Sequence, residues 1–104
     1  MLKIHYTKSG EAISDYQCEK FILYYYNNIN EGYYKDNISI YTSTELVIHT
    51  ARALIKEGKI DNEKVEFYLN DELIGKADKN GRLNNWPKGF CDYYDNILDR
   101  LLDI

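Results

Sequence analysis

The residues best placed to do chemistry are Thr42-Ser43-Thr44-Glu45, three hydroxyls and a carboxylate between a short apolar run, Ile38–Tyr41, and a helical pattern that stops at Gly58. An apolar run feeding a helix reads as a buried strand and its corner, and the carboxyl ends of sheet strands are where α/β proteins hold their ligands. A working site there needs a nucleophile with its base, paired acids, or a set of metal ligands. None assembles. His5 falls in a strand pattern and His49 in a helical one, each read as having no second His, Cys or carboxylate at ligand spacing. Asp78-x-Asn80-Gly81 carries a fragment of calcium-loop spacing, but with Gly81 as the sixth position the first and twelfth fall on Lys76 and Pro87, so a plain turn is expected. The glycines form neither phosphate-binding pattern. No catalytic residue, metal site or cofactor is therefore expected.

Composition bounds the rest. A chain of 104 residues has room for one domain, taken as 1–104, and its 44% hydrophobic content suffices for one core. Thirteen basic against seventeen acidic side chains give a net charge of -4, the wrong sign for wrapping phosphates, so nucleic acid is not an expected partner. No apolar run approaches the roughly 18 residues of a membrane span, and Met1-Leu2-Lys3 does not open a secretory signal; a cytoplasmic protein is expected. Cys18 and Cys91 stand apart and read as reduced core thiols. Eleven tyrosines include the clusters Tyr24-Tyr25-Tyr26, Tyr33-Tyr34 and Tyr93-Tyr94, which on a helix cannot all face inward, so each leaves at least one ring at the surface. Frequent Asn, Lys, Ile and Tyr is a coding habit of AT-rich genomes, phage among them.

The elements follow from periodicity. Leu2, Ile4 and Tyr6 alternate with Lys3 and His5 as a strand that Thr7–Gly10 breaks. Ser14 with Gln17 opens a first helix, whose Cys18, Phe21, Ile22, Tyr25 and Ile29 recur at helical spacing until Gly32. After the strand Ile38–Tyr41, Thr42 and Glu45 form a capping box for a second helix, with Gly58 in the left-handed position past its end. Val65–Leu69 and Leu73–Ala77 read as a hairpin across Asn70-Asp71-Glu72. A last helix begins near Gly89 or Phe90. The order β-α-β-α-β-β-α predicts an α/β fold, a small mixed sheet of about four strands with flanking helices.

Two surfaces stand out as candidates for binding. Asp92, Asp95, Asp99 and Asp103 form a stripe on the last helix, opposite Phe90, Tyr94, Ile97 and Leu101. Its ordinary reading is a solvated face, and its sharper one an imitation of a phosphate row. Trp86, Pro87 and Phe90 anchor that helix to the sheet, or else offer a contact to a partner.

Two families share motifs with the chain. Ile40–Ile48 resembles the ribonuclease-H strand-to-helix motif Y-T-D-S-x-x-V-I, with Ser43 in place of its aspartate and Glu19 on the first helix standing for that family's helix glutamate. Metal-dependent nuclease activity is what that resemblance implies. More of the chain is similar to the C-terminal half of the ABC/SMC-like AAA ATPases that end in a W-P-x-G-F-F-D tail. The matching pieces, in order, are Thr42-Ser43-Thr44-Glu45 for T-H-S-E, Gly58-Lys59-Ile60, Val65-Glu66-Phe67-Tyr68, Asp78-Lys79-Asn80-Gly81 and Trp86-Pro87-Lys88-Gly89-Phe90-Cys91-Asp92. By this resemblance Leu2–Tyr6 stands for the Walker B strand, without its acids, and Ser43 takes the place of the histidine that contacts the γ-phosphate. The Walker A loop is missing. The resemblance thus implies a catalytically empty domain acting by protein–protein contact, with a related ATPase or a second copy of itself as partner.

Overall fold

The structure, a computed structural model, describes residues 1–30 and 37–87. The predicted last helix, with Phe90, Asp92, Asp95, Asp99 and Asp103, lies outside the described residues, as do Gly32 and Cys91. Strand β1 (Leu2–Glu11) leads through a 3-10 turn at Asp15–Gln17 into helix α1 (Cys18–Asn30). Strand β2 (Ile38–Thr42), helix α2 (Glu45–Lys56), strand β3 (Val65–Leu69) and strand β4 (Glu72–Gly75) follow. The four strands form one mixed sheet in the order β2-β1-β3-β4, with β1 parallel to β2 and β3, and β4 antiparallel to β3.

Alternation sorts each strand into two faces. Leu2, Ile4, Ile40, Val65 and Phe67 point into the core, where α1 contributes Cys18, Ile22 and Tyr26, and α2 contributes Val47, Ile48, Ala51, Leu54 and Ile55. These helical residues recur every three or four positions, so each helix has one apolar stripe. The stripes meet each other and the same sheet face. No described helix covers the other face, which carries Lys3, His5, Ser39, Tyr41, Glu66 and Tyr68. The first tyrosine cluster divides as its spacing requires: Tyr26 is buried, and Tyr24 is 58% exposed.

Local signals explain the ends of the elements. Gly58 has φ +76°, its N–H donates to the Ile55 carbonyl at 3.0 Å, and the Lys59 N–H donates to the Leu54 carbonyl at 2.9 Å. That pair of bonds is a Schellman motif closing α2. Leu69 pairs with Glu72, so the β3–β4 loop is Asn70-Asp71 alone, and the positive φ of both residues (48° and 68°) fits the type I′ turn that matches sheet twist. At Asp78 the carboxylate accepts the N–H groups of Asn80 and Arg82, which makes the calcium-like fragment a self-contained turn.

Candidate functional site

The expected capping box at the strand-to-helix corner is not formed. Thr44, rather than Thr42, holds the N-cap position of α2, and its side chain caps no helix N–H. The hydroxyls are turned on β1, which does not stop at Thr7 but runs on to Glu11. Thr42 Oγ1 donates to the Glu11 carbonyl at 2.8 Å and accepts the Thr44 N–H at 3.0 Å. Thr44 Oγ1 accepts the Ile13 N–H at 2.8 Å and lies 3.3 Å from the Ile13 carbonyl. The Ser43 N–H donates to Glu11 as well. Gly10 lies so close to the Thr42 backbone that a β-carbon there would overlap it. Thr42 itself is fully buried. The corner is thus a joint between two strand ends, and the Thr42 and Thr44 hydroxyls are committed to main chain. The sequence signal was Gly10, which read as a strand breaker and is in fact a close-approach glycine.

One helical turn on, Glu45 does have a partner, which corrects the reading that His49 lacks a neighbouring carboxylate. His49 Nε2 lies 3.2 Å from Glu45 Oε1, and Arg52 Nη1 lies 2.9 Å from His49 Nδ1. A guanidinium has no acceptor, so Nδ1 accepts and the imidazole proton sits on Nε2, facing Glu45. Arg52 Nε then donates to the Gly81 carbonyl at 2.8 Å. This line fastens the Asp78–Arg82 turn to α2.

The sheet face that no described helix covers holds the other histidine. Register places His5 directly between Tyr41 on β2 and Tyr68 on β3, and the three rings stack, with centroids 4.3 Å apart on each side and interplanar angles of 23° and 13°. The imidazole is 7% exposed and neither nitrogen makes a well-formed hydrogen bond; Asp71 Oδ1 lies 3.5 Å from Nδ1. Burial pushes the His5 pKa below its usual range, the Asp71 carboxylate pulls part of that back, and Lys3 adds to the lowering. The ring is therefore neutral at pH 7. Sequence alone could not place this stack, because it depends on pairing three strands distant in the chain.

The remaining candidates are dispersed. Trp86 is half-buried against the core, its ring 6.4 Å from that of Phe67 in an edge-to-face arrangement. Glu19 lies 3.6 Å from Lys59 Nζ, on α1. Cys18 is a buried free thiol whose Sγ faces the Ser14 carbonyl at 3.5 Å, and burial, then the Asp15 charge, raises its pKa. A shallow groove of about 420 Å³ at the end of α2 runs past Tyr26, Gly58 and Asp61, where the Tyr26 hydroxyl accepts the Asp61 N–H. Among the described residues no group of three or more His, Cys, Asp or Glu side chains could hold a metal ion. None of the described helices is long and apolar enough to cross a membrane.

Residues 61–101 are similar to a family described as "Protein of unknown function (DUF3696)", a match covering less than half of the chain. No curated protein and no solved structure matches.

Proposed function

We propose that the chain is a non-catalytic cytoplasmic domain that works by protein–protein contact, built like the distal half of an ABC/SMC-like AAA ATPase lobe without its nucleotide-binding half. The observation that carries this reading is the corner. The place where the resemblance puts a γ-phosphate contact is a strand joint, with the hydroxyls of Thr42 and Thr44 bonded to Glu11 and Ile13. Phosphoryl transfer depends on charged groups positioned around the phosphates, and this corner offers two hydroxyls already bonded to main chain and, at Ser43, an uncharged side chain in the histidine's place. The family match at 61–101 spans the tail from Trp86, the specific part of the resemblance, and the Asp78–Gly81 turn before it. A related ATPase is the natural partner.

Titration with ATP–magnesium by calorimetry, alongside a phosphate-release assay, tests the first half: no binding heat and no turnover are expected. Tight binding with turnover ends the reading. The second half is tested by mixing the purified domain with ATPases carrying the same tail from its host, where co-elution is expected.

A further inference from the structure

The two edges of the sheet are built differently. On one side β4 has four residues, begins with the exposed carboxylate Glu72, ends at Gly75 with φ +131° and pairs with an irregular register. Shortness, charge and irregularity are the devices that keep a sheet edge from pairing with another chain. On the other side β2, five residues long and with a register shift of its own where Thr42 meets β1, lacks the charge. Ile38-Ser39-Ile40-Tyr41-Thr42 has no charge, proline, glycine or bulge within it, and no described strand lies beyond it.

Its outward hydrogen-bonding groups can be assigned. The Ile38 N–H donates to the Met1 carbonyl, so Ile38, Ile40 and Thr42 turn their main-chain groups toward β1. Ser39 and Tyr41 turn theirs away. A second β2 running antiparallel, with Ile40 on the two-fold axis, brings Ser39 opposite Tyr41 of the other copy. Those are the residues whose N–H and C=O groups face outward, and they exchange both bonds. Ile40 meets its own copy in the close, non-hydrogen-bonded position, and Ile38 meets Thr42. Apolar groups fall on the core face, Ser39 and the 48% exposed Tyr41 on the other, and no charge opposes a like charge.

We infer that the chain forms a two-fold homodimer by antiparallel pairing of β2 with β2, giving one continuous eight-stranded sheet. Since β4 is the guarded edge, growth stops at two copies. The inference rests on the contact-based reading above but concerns the chain alone. A five-residue edge is smaller than a standard interface, so the association is weak and depends on concentration.

Analytical ultracentrifugation between about 1 μM and 1 mM reads the outcome, with the mass moving from 12.3 kDa toward twice that value. Ser39→Pro removes an outward N–H and leaves the β1–β2 bonds in place, and Ser39→Lys keeps the N–H but charges the edge. Each is expected to weaken the dimer at least about tenfold, with thermal unfolding reporting whether the variant folds. Should Ser39→Pro fail to fold, Ser39→Lys decides. A wild-type monomer throughout the range, or a dimer indifferent to the folded variants, overturns the inference, as does a monomer that takes up only a foreign extended peptide. None of these results bears on ATP binding or on an ATPase partner.

Discussion

Gly10 packs against the backbone of Thr42 with no room for a β-carbon between them. The end of the central strand and the start of the corner therefore share one volume, and Gly10→Ala must separate them. An added methyl group in a packed site costs about 1–3 kcal/mol. Urea unfolding is expected to show that loss, together with faster hydrogen exchange at Ser43 and Thr44, whose N–H groups are bonded at this joint. A variant as stable as the wild type contradicts the joint.

Gly58 and Gly81 have nearly equal φ, 76° and 75°, in opposite surroundings. A β-carbon on Gly58 meets nothing within 4 Å, so Gly58→Ala is expected to cost only the left-handed penalty of about 1–2 kcal/mol. On Gly81 it would run into the Arg52 carbonyl. Gly81→Ala must then release the Asp78–Arg82 turn from α2 and is expected to cost distinctly more in the same denaturation assay. Equal losses refute the docking of that turn.

His5 links stability to pH. Its folded pKa is lowered by burial, so between that value and the unfolded pKa of about 6.5 the unfolded chain binds more protons. Stability contributed by His5 is complete above pH 6.5 and falls as pH drops toward the folded value. His5→Phe keeps a ring between Tyr41 and Tyr68 but cannot be protonated. Its stability difference between pH 7.5 and 5.5 is expected to be smaller than that of the wild type, and at pH 7 it gains about 1 kcal/mol by removing unbonded buried nitrogens. An unchanged pH slope rules out the linkage.

Trp86 separates structure from contact. If it only anchors the tail, Trp86→Ala loses about 3 kcal/mol, the lower end of the range for aromatic deletions because the ring is half-buried. Near-native stability with lost co-elution of the ATPase partner marks it as part of a binding surface instead.

How much of this was legible in the sequence depends on range. Period-two and helical spacing are local, and they place Leu2, Ile4, Val65 and Phe67 in the sheet and Val47, Ala51 and Leu54 on the helix face. Gly58 and the Asn70-Asp71 turn are also local, because backbone conformation selects those residue types. Partner choice is not. Thr42 and Glu45 have the spacing of a capping box, yet Thr42 bonds to Glu11 and Glu45 to His49. The sidedness of the fold was equally hidden. With the order β2-β1-β3, two right-handed crossovers would put their helices on opposite faces; α1 and α2 share one, so the two crossovers have opposite hands. That arrangement leaves no described helix on the face where His5 lies between its tyrosines.

The central position of β1 also orders events during synthesis. Of the described strands, the first in the chain is the one that both other parallel strands need, and Leu2 pairs with Val65 on one side and Ile38 on the other. Such pairings across long stretches of chain form late. A nascent chain that ends before Leu69 has no complete β3 to finish the sheet. Until then Phe67, the largest fully buried side chain among the described residues, has not joined the core, and the apolar face of β1 has only β2 and the two helices against it.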